Sequence, residues 1–186
     1  CSHIRRILLK RGNVMATTHI ISIHVGKGKT AYQSIKERLD YIMNPEKTDG
    51  GLLISSHACF PETAADEFML YRQEYLNTTG RKRGDEVLAY HVRQAFKPGK
   101  ITAEKANEIG KALAERLTDK QHAFVVATHI DKQHIHNHII FCATSLDGRQ
   151  KYRDVKRSAK ELVQISDALC EENGLSVICN PCLLYT

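Results

Sequence analysis

The chain has 186 residues, long enough for one domain with a real core. Hydrophobic residues make up 42% and charged residues 26%, ordinary values that argue against a disordered chain, and no run of about eighteen apolar residues offers a membrane span. The formal net charge of +6 is concentrated at the start: from Met15 onward 23 basic residues face 21 acidic ones, so a basic surface has to be argued locally.

Residues 1–14 carry Arg5, Arg6, Lys10 and Arg11 with no acid and no amphipathic pattern, and their apolar stretch is too short for a signal peptide. We expect a non-native or disordered leader over 1–14, a natural start at Met15, one domain over 15–175, and a tail over 176–186 that is not native either. The six cysteines are scattered, which suits reduced thiols and a cytoplasmic location, and Cys179-x-x-Cys182 has no second pair to complete a zinc site.

Thr18 to Val25 reads as a strand of β-branched residues, followed by the basic loop Gly26-Lys27-Gly28-Lys29-Thr30, which lacks the Walker spacing. Ala31 to Met43 reads as a helix ended by Asn44-Pro45. Its stripe of Tyr32, Ile35, Leu39 and Ile42 places Tyr32 in the core and leaves Tyr41 available. A regular helix would then point Tyr41 away from the sheet, so we expect the last turn to loosen near Pro45. Leu52 to Ala58 is a second strand, and Ala64 to Asn77 a helix opened by Pro61-Glu62-Thr63. Arg81-Lys82-Arg83, between Gly80 and Gly84, forms a basic loop suited to backbone phosphates.

Glu86 to Phe96 is a third strand, and Thr102 caps a helix running to Leu117 along Ile109, Leu113 and Leu117. Ala123 to Thr128 is a fourth strand, Asp131-Lys132-Gln133 a tight turn, and the chain returns through Ile139-Ile140-Phe141 as a fifth. Arg149, Lys151, Arg153, Lys156, Arg157 and Lys160 form a basic cluster around Tyr152, a candidate base-stacking ring, before a last helix over Ser158 to Asn173. The element order β-α-β-α-β-α-β-β-α, with a hairpin near its end, predicts an α+β fold: a central, largely antiparallel five-stranded sheet with packed helices.

The chemistry concentrates in His129-x-Asp131-x-x-His134-x-His136-x-His138, four of the ten histidines in ten residues. Side chains alternate along a strand, so His134, His136 and His138 share one face while Ile135, Ile139 and Phe141 take the other. His129 ends the preceding strand and faces them across the hairpin. A single histidine on a strand is usually a structural hydrogen-bonder. Three on one face would repel as cations and waste core positions as neutrals, so they fit a divalent cation better. Asp131 is placed to accept the second N–H of an imidazole ligand.

The same residues resemble the third motif of the relaxase/mobilization nuclease family of the HUH endonuclease superfamily. Leu39-Asp40-Tyr41-Ile42-Met43-Asn44-Pro45-Glu46-Lys47 resembles its tyrosine motif, and Tyr90-His91-Val92-Arg93-Gln94-Ala95-Phe96-Lys97-Pro98-Gly99 its middle motif, with Ala95 where the family usually has Ser. The resemblance spans roughly Thr18 to Asn173. It implies a conjugative relaxase in which Tyr41 is the nucleophile, His129, His136 and His138 are metal ligands with His134 ranked fourth, and Asp131 supports them. It also implies a divalent cation (Mn²⁺ favoured by imidazole ligands, with Mg²⁺ and Zn²⁺ as alternatives) and single-stranded or melted origin-of-transfer DNA as substrate. Accessory relaxosome proteins and a coupling protein are the implied partners. Lys27, Lys29, Arg81, Lys82, Arg83, Arg149, Lys151, Tyr152 and Arg153 are the candidate DNA contacts. The rival readings are a rolling-circle replication initiator or HUH transposase, relatives that place tyrosine after the histidines, and a non-catalytic zinc-binding DNA module.

Overall fold

A computed structural model describes residues 16–81, 86–153 and 158–175. The expected leader, Met15, the tail, Lys82, Arg83, Lys156 and Arg157 lie outside the described residues. The elements follow the expected order. Strand β1 is Ala16–Ile23, helix α1 Ala31–Ile42, β2 Ile54–His57, α2 Ala64–Thr79, β3 Ala89–Phe96, α3 Ala103–Leu117, β4 Phe124–His129, β5 His136–Cys142 and α4 Ser158–Glu172. The five strands form one sheet in the order β1-β3-β5-β4-β2, and every neighbouring pair is antiparallel.

Both faces of the sheet are covered by helices, which explains the nearly continuous apolar runs of β4 and β5. On one face Val126, Ile139 and Phe141 pack with Ile109 and Leu113 of α3 and Leu162 and Leu169 of α4. On the other, Val125, Ala127 and Ile140 pack with Ile35, Leu39 and Ile42 of α1 and Phe68 of α2. A one-residue slip of β5 would exchange the two sets.

Helix α1 begins with a capping box: the Thr30 hydroxyl accepts from Gln33 N (3.1 Å) and Thr30 N donates to the Gln33 amide oxygen (2.8 Å). Its core face is Ser34, Ile35, Leu39 and Ile42. Tyr32 is a correction to the expected stripe: it stands at the flank with 37% of its surface exposed. Helix α2 ends on Gly80 in the left-handed conformation (φ 65°), where a side chain would be strained. Thr102 caps α3 through Lys105 N (3.3 Å).

The back of β5 differs from the purely apolar face expected. Between the two histidines that face α1, Asn137 points to the α3 side, fully buried, and is held from three directions. Its amide donates to Ala106 O (2.6 Å) and Gln94 Oε1 (3.0 Å), and its oxygen accepts from Thr128 Oγ1 (2.7 Å). Gln94 continues to Ser166 of α4 (2.9 Å), and Asn107 of α3 reaches both Thr128 and Leu53 O. This satisfied network pins β5 in register, and with it the direction of His136 and His138.

Candidate metal centre and nucleophile

The β4–β5 hairpin sets His129 directly opposite His136, and Ala127 opposite His138. The three imidazoles are almost wholly buried, at 1%, 8% and 4% exposure for His129, His136 and His138. Ring centroids lie 4.3 Å apart for His129 and His138, 5.2 Å for His129 and His136, and 5.0 Å for His136 and His138.

The second nitrogen of each ring is engaged, and for His129 and His136, whose partners are carbonyls, this assigns the first. His129 Nε2 donates to Ile42 O at the end of α1 (2.7 Å), leaving Nδ1. His136 Nδ1 donates to His134 O (3.3 Å), leaving Nε2. His138 Nδ1 meets Nε2 of His91 from β3 (2.8 Å), leaving Nε2. One ligand nitrogen from each of the three lies within 4.8 Å of the other two. Three neutral nitrogen donors converging from two paired strands, each oriented from behind, fit a borderline divalent cation.

Burial keeps these rings uncharged. It lowers His129 and His136 below the ordinary value of 6.5, and the like charges of the cluster add to it at His138, pushed down to about 2. His91, buried and facing Arg93 and Arg38, is pushed down to about 4. Neutral imidazole is the form that binds metal.

Tyr41 stands at the mouth of this cluster, 53% exposed, its ring edge-on to His138 (6.0 Å between centroids) and to His129 (6.3 Å). The expected loosening of α1 does not occur. Met43 N still donates to Leu39 O (2.9 Å), and the helix is regular through Ile42. The physical reason is position: α1 ends over the tip of the hairpin, and the bond from His129 to Ile42 O ties that end down. A residue on the helix flank therefore overlooks the rings. Lys47 closes the far side, its ammonium 4.7 Å from the Tyr41 ring centroid, while its carbonyl accepts from Ile130 N (3.0 Å).

Other expected residues stand elsewhere. His134 sits in the turn before β5, its ring 5.3 Å from that of His136, outside the three-nitrogen cluster. Asp131 is exposed in the same turn, and the Ile42 carbonyl takes the place expected for it behind His129. Lys151 is committed to structure: it bonds Glu86 (2.5 Å) and Val87 O (3.2 Å) and lies over the Tyr75 ring (5.2 Å). Tyr152 packs against Tyr90 (5.1 Å) and Phe141 (4.9 Å) at the edge of the core, partly buried. Both differ from the expected surface positions because the turn beyond β5 folds back onto the sheet. Lys27, Arg81, Arg149 and Arg153 are exposed. Lys29 pairs with Glu37 and lines a groove with Ser22, His24, Arg38 and His91.

Sequence reading missed His91, Lys47, Arg38 and Arg93 as neighbours of the triad. His91 and Arg93 alternate on β3 and pair in register with Ile140 and His138, a relation visible only once β3 is known to lie beside β5.

A sheet that presents three imidazoles to a tyrosine outlines a candidate cation site, and comparison with known proteins gives the class. Residues 41–175 match the family model described as "Relaxase: MobA/VirD2-like, nuclease domain", and the chain belongs to that family. It is 41% identical over 109 residues to a "Protein rlx" of Staphylococcus aureus, covering 58% of this chain and 34% of that protein. It is 33% identical over 173 residues to the "Group II intron-interrupted relaxase LtrB" of Lactococcus lactis subsp. cremoris (strain MG1363), covering 74% of this chain and 30% of that protein. The chain thus spans about a third of the length of these curated relatives. A solved structure reported as "Molecular Basis of Vancomycin Resistance Transfer in Staphylococcus aureus" shares the fold, with a TM-score of 0.57 and 13% identity over 87% of this chain and 95% of that one. No helix among the described residues is long and apolar enough to cross a membrane.

Proposed function

We propose that this domain is the strand-transfer unit of a conjugative relaxase, nicking one DNA strand at an origin of transfer through Tyr41 and later rejoining it. The observation that carries the reading is the Tyr41 ring set edge-on to two of three clustered imidazoles. In the forward step the Tyr41 oxygen forms a bond to the scissile phosphorus, the bond from phosphorus to the 3′ oxygen breaks, and the phenolic proton leaves as the 3′ oxygen gains one. The products are a 5′-phosphotyrosine and a free 3′-hydroxyl. One phosphodiester replaces another, so reversal needs no nucleotide cofactor.

His129, His136 and His138 would hold the divalent cation, Mn²⁺ in preference to Mg²⁺ given nitrogen donors, with Zn²⁺ as the alternative. Such an ion would supply positive charge for the non-bridging oxygens of the scissile phosphate. A phenol with an ordinary pKa near 10 is a poor nucleophile at neutral pH. Lys47 beside the ring and Arg38 and Arg93 beside the histidines add positive charge where the phosphate would sit. The strand arrives single-stranded or melted, its backbone met by Lys27, Lys29, Arg81, Arg149 and Arg153. Asp131 contributes charge at the cluster's edge, not a ring contact. Accessory relaxosome proteins and a coupling protein would act with the complete protein.

The test is incubation of the chain with an origin-bearing oligonucleotide and Mn²⁺, followed by denaturing electrophoresis. A covalent adduct that disappears in Tyr41→Phe and persists in Tyr32→Phe is expected; the opposite pattern overturns the assignment. His136→Ala should abolish metal-dependent nicking while leaving oligonucleotide binding largely intact. The order of tyrosine before histidines favours this reading over a rolling-circle initiator or transposase. A non-catalytic zinc module would give no adduct at all.

A further inference from the structure

The three ligand rings are held from behind in different ways. His129 and His136 lean on backbone carbonyls, which can only accept. His138 leans on another imidazole, His91, whose nitrogens can each donate or accept. His138 lies opposite Ala127 on one side and Arg93 on the other, and its ring neighbours those of both other ligands.

We propose that His91 is the positioning residue that sets the tautomer of His138 and so completes the metal site; this rests on the reading of the triad as a cation site. For Nε2 of His138 to offer a lone pair to a cation, the proton must sit on Nδ1, which then donates to His91 Nε2. That nitrogen must be bare, and the His91 proton moves to its own Nδ1. His91 also lines the groove with Ser22, His24 and Arg38, where water can accept from that Nδ1–H. In the opposite arrangement His91 Nε2 donates, His138 carries its proton on Nε2, and only two nitrogens of the triad can bind. The 2.8 Å contact serves both arrangements, so loading the site selects one of them.

The geometry favours a specific role over packing. His91 is 8% exposed on the sheet face that carries the ligands, two residues from Arg93, the register partner of His138. The ring centroids of His91 and His138 are 5.0 Å apart and tilted by 40°, an edge contact between nitrogens, not a stack. A hydrophobic residue of similar volume would fill the space and leave Nδ1 of His138 without an acceptor.

Isothermal titration of the EDTA-treated chain with MnCl₂ tests this without any DNA. His91→Leu should weaken Mn²⁺ binding by about 10- to 100-fold, the range for losing an outer-shell partner, while His91→Gln, whose amide oxygen can still accept, should stay within about threefold of the parent. Thermal unfolding in EDTA should change to a similar extent in the two variants. An imidazole ¹⁵N–¹H spectrum of the Zn²⁺-loaded parent should show His138 protonated at Nδ1. The critical result is the leucine variant: a His91→Leu dissociation constant within about threefold of the parent overturns the inference while leaving the triad intact. Equal losses in His91→Leu and His91→Gln would reduce His91 to packing. A parent that binds neither Mn²⁺ nor Zn²⁺ would remove the cation site itself, and this role with it.

Discussion

At the scale of single residues, what distinguishes the site is which atoms are already spoken for. His129 gives its Nε2 proton to a helix-terminal carbonyl, one of the acceptors that a helix leaves unpaired at its C-terminus. The end of α1 is thereby both the support of a candidate ligand and the mount of the proposed nucleophile. Lys47 brings a cation to this arrangement, half-buried against Tyr41. Lys47→Met should slow adduct formation about tenfold, equivalent to about 1.4 kcal/mol, without changing Mn²⁺ affinity, as read by single-turnover cleavage against calorimetry. His134, outside the nitrogen cluster, should behave oppositely to the triad: His134→Ala should change Mn²⁺ affinity by less than about threefold, far below the loss from removing a ligand. The triad itself was legible because a period of two and one hairpin are enough to converge those three rings. His91 was not, since 47 positions separate it from its partner, and the Ile42 carbonyl was not, since a backbone acceptor leaves no signature in side-chain identity.

At the scale of elements, strand β5 carries two chemistries on opposite faces, and Asn137 keeps them apart. With three well-placed hydrogen-bonding neighbours in a dry layer, it makes a register slip costly, because the slipped strand would bury histidines where the amide now bonds. Asn137→Ala should lower unfolding free energy by about 2–4 kcal/mol, leaving Gln94, Thr128 and Ala106 O short of partners, and should weaken Mn²⁺ binding without touching a ligand. Gly110 of α3 makes the same point from the other side. Glycine to alanine inside a helix normally gains up to about 1 kcal/mol. Here the added Cβ would stand 2.5 Å from Asn137 Nδ2 and 3.0 Å from Val126 Cγ1. Overpacking of that kind costs about 1–3 kcal/mol, so the net sign should be destabilising in a denaturant melt. Element order and boundaries were largely readable from apolar periodicity, capping at Thr30 and Thr102, and the turn residues. What resisted was orientation: a helical wheel locates Tyr41 about an axis but not where that axis ends above the sheet, and Lys151 and Tyr152 look like surface until the turn beyond β5 is seen to fold back.

At the scale of the whole molecule, a cluster of buried neutral histidines makes stability depend on pH. His91, His129, His136, His138 and, on the other side of the sheet, His122 all have folded pKa values below the ordinary 6.5, burial being the largest cause for each. The unfolded chain therefore binds more protons than the folded one once the pH falls below about 6.5, and unfolding free energy rises with pH through that window. The contribution is fully present above 6.5 and is lost on acidification towards about 4, where His91 begins to protonate in place, with His138 holding out to about 2. Denaturant melts of the EDTA-treated chain at pH 7.5, 6 and 5 should show a steep decline. His91→Gln should flatten the decline, since one of its titrating groups is then gone. Glu86 works in the opposite range: burial alone would raise it, but hydrogen bonds from Lys151 and Arg72 outweigh that and hold it below 4.5, so its contribution fades only in stronger acid. Mn²⁺ at about 100 times its dissociation constant should add about 2.7 kcal/mol at neutral pH by mass action. That increment should shrink on acidification, because protons and the cation compete for the same three nitrogens. An increment that stayed constant from pH 7.5 to 5 would mean that the bound ion sits somewhere other than on His129, His136 and His138.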